Sequence, residues 1–261
     1  MSLVALMMIG CTPQEPEDVR GTAPGEPTTP TPLDVDSGSA VLCSDGPAFP
    51  DAWAGAVDPE RVTTTPYDFA AGIGDILDAA PDQDAASIDI AVTDAVVTNF
   101  TEFSGEIDQL WLADSGGGLQ TYGVDINLTA EDVAPGDTVS FTATEITTYF
   151  SLPELTGLVD LSVTGSGALV YVVDGNTTAV TVTDHLNQNI RGFGELVSEP
   201  EGCGGSSVCA DFSFGDNTIP LRFAESLGFS AGDCVDVLAP LTVYSGSPQL
   251  NIDNNDWVSV Y

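Results

Sequence analysis

The chain repeats itself. Ala134-Pro-Gly-Asp-Thr-Val-Ser-Phe141 matches Ser230-Ala-Gly-Asp-Cys-Val-Asp-Val237, and each leads to a Tyr and then a Pro-x-Leu: Tyr149 with Pro153-Glu-Leu155, and Tyr244 with Pro248-Gln-Leu250. Upstream, Leu112-Ala-Asp114 matches Cys209-Ala-Asp211, each just before a turn signal (Ser115-Gly-Gly-Gly118 and Gly215-Asp-Asn217). Units of this size, spanning residues 87–170 and 188–261, point to an ancient duplication, with an indel between the Gly-Asp and the Tyr. Whatever fold one copy adopts, the other is expected to share.

Each copy reads as β. Ile88, Ile90 and Val92 alternate with polar residues, and Val96-Val97-Thr98-Asn99-Phe100 continues the run. Leu110 to Asp114 and Leu119 to Ile126 flank the Gly-rich turn as a hairpin. Leu128 to Val133 is expected to form one helical turn, with Ala224 to Leu227 as its counterpart. Asp137 to Tyr149 and Leu155 to Thr164 follow as long strands. In the second copy Val208, Ala210, Phe212 and Phe214 share one face and read as core.

The resulting order is strand, hairpin, helical turn, long strand, final strand. That is the order of a five-stranded OB-type barrel with its helix between strands three and four. On Leu110-Trp-Leu-Ala-Asp-Ser-Gly-Gly-Gly-Leu-Gln-Thr-Tyr122 and Pro135-Gly-Asp-Thr-Val-Ser-Phe141, the chain resembles the OB-like domains of exported bacterial lipoproteins and of some secreted nucleases. An immunoglobulin-like sandwich would need about seven strands per copy. The expected fold is all-β: two tandem five-stranded OB-like barrels, a short helix before the first, and a disordered N-terminal tail.

The N-terminal region points outside the cytoplasm. An apolar run from Leu3 to Ile9 ends at Gly10 and Cys11, and Met8-Ile9-Gly10-Cys11 resembles a lipobox. Residues 1–10 then form a lipoprotein-type signal, and Cys11 becomes the lipidated residue. Only ten residues precede Cys11, none of them Lys or Arg, whereas such signals usually run about 15–30 residues with a basic start. The true start is therefore expected further upstream. The apolar run is also too short for the ~20 residues of a membrane span. Residues 11–40 are an acidic Pro/Thr-rich linker, expected to be disordered. Residues 41–86 are irregular apart from a short amphipathic helix within Tyr67 to Ala80, carrying Phe69, Ile73, Ile76 and Leu77 and ending before Pro81.

With Cys11 lipidated, four cysteines remain, an even number suited to disulfides in an oxidising compartment. Three connectivities are open. The expected one closes a short Gly-rich loop with Cys203–Cys209 and ties the N-terminal segment to the last domain with Cys43–Cys234. Zinc is the competing reading, but the spacing is not CxxC and His185 is far from every Cys in sequence.

Charge narrows the partners. Forty acidic residues face four basic ones, all Arg (Arg20, Arg61, Arg191, Arg222), for a net charge of −36. Nucleic-acid binding draws most of its affinity from Lys and Arg on phosphates. On that ground no nucleic acid is expected, anionic lipid head groups are repelled, and membrane attachment runs through the N-terminal lipid only. The expected partner is an envelope protein or a glycan.

The catalytic inventory is thin. Zinc-protease, P-loop, hydrolase-elbow and complete dinucleotide signatures are missing, and one His in 261 residues leaves little for His-based chemistry. No catalytic residue is assigned, and no cofactor is expected. Asp174, Asp253 and Asp256 are weak calcium candidates whose spacing departs from the EF-hand loop. OB-type folds bind extended ligands on the face of strands two and three. This points to Trp111, Gln120, Tyr122, Tyr149 and Phe150, with Tyr244 in the second copy. Pattern alone leaves open whether Trp111 is core or surface.

The expected function is that of a lipid-anchored, non-enzymatic binding or scaffolding protein of the cell envelope or surface. Accessory domains of an exported hydrolase or nuclease system, or a structural surface protein, are the alternatives.

Overall fold

The computed structural model describes Cys43, Gly46 and residues 57–204, 207–252 and 257–260. Cys11 and the expected signal and linker lie outside the described residues, as do Asp253 and Asp256.

In chain order, β1 (Val62–Thr63) follows a 3-10 turn at Pro59–Arg61, and α1 (Ile73–Asp78) precedes the first barrel. The barrel strands are β2 (Ala85–Phe103), β3 (Glu106–Asp114), β4 (Gly117–Thr121), β5 (Thr138–Tyr149) and β6 (Leu152–Gly165). They close in the order β2-β3-β4-β6-β5, with β4 and β6 parallel and the other pairings antiparallel.

After β7 (Val170–Asp174) and α2 (Val182–His185), the second copy contributes β8 (Asn189–Leu196), β9 (Glu201–Gly204), β10 (Ser207–Phe214), β11 (Asn217–Ala224), β12 (Cys234–Tyr244), β13 (Ser247–Asn251) and β14 (Val258–Val260). Here β8-β10-β11-β13-β12 are neighbours in that order, and β8 also pairs with β12, which closes the ring. Its β11–β13 pair is parallel, as β4–β6 is. Both copies therefore have one topology, 1-2-3-5-4 returning to 1, and the expected pair of OB-like barrels is borne out. In the second copy β7 and β1 extend the sheet beyond β8.

Each barrel has its own core. Leu110, Leu112, Leu119, Val139, Phe141, Ile146 and Leu155 fill the first. Phe212, Phe214, Leu221, Phe223, Val235, Leu241 and Leu250 fill the second. These residues alternate along their strands, which is what a closed sheet with one inner face requires. Strand β12 is buried along almost its full length. Its outward residue Leu238 packs with Val57, Val170, Val172 and Trp257 in a third, smaller cluster.

Both expected disulfides are present, Cys43–Cys234 and Cys203–Cys209. Two local expectations change. The helix near Tyr67 covers only Ile73–Asp78, because Gly72 precedes it at φ 115°, where a right-handed helix cannot continue. Phe69 stays exposed. Leu128 to Val133 forms a turn, not a helical turn: Thr129 and Asp132 hydrogen-bond to each other there, and such side-chain bonds compete with helix. Its counterpart Glu225–Leu227 is a short 3-10 helix.

Candidate functional site

In-register neighbours on adjacent strands project to the same face. Trp111 of β3 pairs with Gln120 of β4, Gln120 with Glu154 of β6, and Glu154 with Thr147 of β5. This row runs across the outside of the first barrel, since Leu110 and Leu112 point into its core. Trp111 is nonetheless only 1% exposed. It is buried, but on the face opposite that core.

The row is the floor of a cleft of about 820 Å³ whose other wall belongs to the second barrel. From that side Arg222, Thr242, Tyr244, Gln249 and Asn251 line it. Arg222 pairs with Asn251 and Thr242 with Gln249, so these residues come from one patch of β11, β13 and β12. A buried hydrogen bond from Asn189 Nδ2 to Thr98 O (2.8 Å) joins the two barrels.

The cleft is assembled from equivalent positions of the two copies. Tyr149 ends β5 and Tyr244 ends β12, the fourth strand of each barrel. Glu154 and Gln249 occupy the middle of Pro-x-Leu in the fifth. Tyr122 and Arg222 correspond as well: Thr121 pairs with Leu155 just as Leu221 pairs with Leu250, and each of the two follows by one residue.

Of the residues singled out in the sequence, Trp111, Gln120, Tyr122, Tyr149 and Tyr244 all line this cleft. Tyr122 and Tyr149 are 52% exposed and Tyr244 is 46% exposed. Phe150 is not in the lining. It stacks edge-on against Tyr149 at 4.6 Å between ring centroids. Glu154, Arg222, Glu102 and Asp108 were missed. Pairing the two copies through their parallel strands would have set Arg222 opposite Tyr122, but nothing in the sequence marks the two rim carboxylates.

Polar geometry defines the floor. Gln120 Nε2 donates to Glu154 Oε1 at 3.0 Å, and both residues are buried. Trp111 Nε1 is buried without a hydrogen-bond partner. An unmet buried donor costs about 1–3 kcal/mol. Arg222 is fixed from two directions. Its Nη2 donates to Gly204 O (3.2 Å) and its Nη1 to Cys203 O (3.5 Å), while its Cζ lies 5.7 Å from the centroid of the Tyr244 ring. The Cys203–Cys209 bridge joins β9 to β10 beside it, with Cys209 paired to Arg222.

Burial pushes the Glu154 carboxyl upward, and the Gln120 hydrogen bond opposes this in part. A carboxyl raised in the folded state binds its proton more readily there than in the unfolded chain. Its contribution to stability is therefore fully present below the ordinary Glu range and falls as pH rises through that range and the raised value above it. Glu154→Gln removes this loss. Urea denaturation at about pH 4 and pH 7 should show the variant gaining on the wild type toward neutral pH. A difference that does not change with pH would contradict this assignment.

Other expected sites differ. Asp174 accepts from Asn176 N and Thr177 Oγ1 within its own turn. No group of three or more His, Cys, Asp or Glu among the described residues is placed to hold a metal. His185 Nδ1 accepts from Thr181 N at 3.1 Å and does not line the cleft.

No family model matches the chain, and no curated protein does. Among solved structures it is similar to the tetrameric p202 HIN2 (TM-score 0.34, 11% identity, 69% of this chain and 96% of that one). It is also similar to the Ifi202 HINa domain in complex with 20bp dsDNA (TM-score 0.33, 12% identity, 68% and 98%) and to p202 HIN1 in complex with a 12-mer dsDNA (TM-score 0.29, 13% identity, 69% and 96%). Two of these are DNA complexes, and the expectation of a protein or glycan ligand with nucleic acid excluded is withdrawn; likeness at this level carries no ligand over to this chain.

Proposed function

We propose that this chain is an exported, lipid-tethered binding protein that holds a flat-ring ligand in the cleft between its barrels, without turning it over. The observation that carries this reading is the set of half-exposed tyrosines, Tyr122 and Tyr149 from one barrel and Tyr244 from the other, around one cleft with a polar floor. Aromatic pairs contribute ~0.5–1.5 kcal/mol beyond area burial, and base–aromatic stacking ~1–3 kcal/mol per base. The floor supplies orientation through the Gln120–Glu154 pair. Free heteroaromatic compounds and the unpaired bases of a nucleic acid both have the required face.

Export is supported by the two disulfides, which suit an oxidising compartment, and by the lipobox-like residues before Cys11. Cys234 begins β12 and Tyr244 ends it, so the tie to Cys43 and the cleft stand at opposite ends of one strand, roughly 30 Å apart.

The test is an intrinsic-fluorescence titration of the folded chain with nicotinamide and with a single-stranded oligo-dT. At least one should saturate. Tyr122→Ala and Tyr244→Ala, both at exposed positions, should each weaken binding about 5–10-fold while leaving the circular dichroism unchanged. If neither probe saturates, or if both variants bind as the wild type does, the reading fails.

A further inference from the structure

We infer that the ring this cleft takes carries a positive charge, an inference that rests on the cleft being a flat-ring site. Three carboxylates line it: Glu102 and Asp108, exposed at the rim, and Glu154, buried at the floor. The single basic residue in the lining, Arg222, has its guanidinium engaged by the Cys203 and Gly204 carbonyls and set over Tyr244. Tyrosine faces are negative at the centre of the ring and attract cations within about 6 Å. The Arg222–Tyr244 pair shows that the cleft already accommodates a flat cation against one of its tyrosines. An anionic ring would meet the carboxylates and the same ring faces unfavourably, and a neutral ring would gain stacking alone.

The class is therefore a cationic nitrogen heterocycle of a size for a cleft of about 820 Å³.

Three closely related pyridine probes compare charge on one ring framework: 1-methylnicotinamide (cation), nicotinamide (neutral) and nicotinate (anion). Titrated at low salt near neutral pH, the cation should bind roughly tenfold more tightly than the neutral ring and the anion most weakly. The cation's advantage should shrink as salt is added. Asp108→Asn and Glu102→Gln, both at exposed rim positions, should each lower cation affinity, with nicotinamide binding kept in both. Equal affinity for the three probes, or an advantage that persists in both variants, would overturn the charge inference and leave the flat-ring cleft standing. Failure of all three rings to bind would overturn this inference; if oligo-dT fails to bind as well, the cleft reading falls with it.

Discussion

Asp114→Ala is expected to destabilise the chain by about 3–5 kcal/mol. Asp114 ends β3, yet it caps a helix more than forty residues upstream. Its Oδ2 accepts from Ala71 N (2.6 Å), Gly72 N (3.0 Å) and Ile73 N (3.0 Å), and its Oδ1 from Gly116 N (2.6 Å). The residue before the helix is Gly72, which has no side chain to cap with, so the first turn of α1 depends on this carboxylate for its free N–H groups. Hydrogen bonds to a charged group contribute ~1.5–3 kcal/mol each, and the donors at Ala71 and Ile73 are buried. Space is tight as well: a Cβ on Gly116 would lie 2.5 Å from Gly74 Cα. Removing the carboxylate therefore frees α1, and with it Ile73 and Ile76, from the first core. Asp114→Asn, which keeps one acceptor oxygen, should cost less. The check is the urea midpoint of both variants at pH 7; a loss under about 1 kcal/mol for the Ala variant would contradict the capping role.

Replacing Cys43 and Cys234 by Ser together is expected to cost roughly 5 kcal/mol in the chain-entropy treatment, since the bridge spans a sequence separation of 191. Few single links could constrain the unfolded chain more. By contrast Cys203–Cys209 spans 6 residues, and its removal should cost much less, because closure entropy grows with loop length. The long bridge also seats a buried position, Cys234, in the middle of a sheet. Denaturant unfolding of the two double-Ser variants side by side tests the ordering. If the short bridge matters more than the long one, loop entropy is not the governing effect.

The fold was legible because the duplication was. Gly-Asp before an alternating strand, then Tyr and Pro-x-Leu, fixed the order of strands in both halves, and the parallel pairing of strands three and five completes two matching rings. Alternation also sorted Phe212 and Phe214 into the second core. What the sequence left open depends on how barrel meets barrel. Trp111 could not be read as inside or outside because it is neither: it lies on the outer face of one barrel and is covered in the folded chain. Asp114 stood out only as part of a repeated Leu/Cys-Ala-Asp, and its partners are far away in sequence. The buried Arg191–Asp236 pair, with Nε and Oδ1 3.0 Å apart, was equally hidden.

The central claim is that equivalent positions of the two copies form one binding cleft. Amide chemical-shift mapping of the isotopically labelled chain, titrated with 1-methylnicotinamide, addresses it most directly. The largest shifts should cluster at Tyr122, Tyr149 and Glu154 of the first barrel and at Arg222, Tyr244 and Gln249 of the second. Shifts confined to one barrel, or gathered on a surface away from these residues, would contradict it.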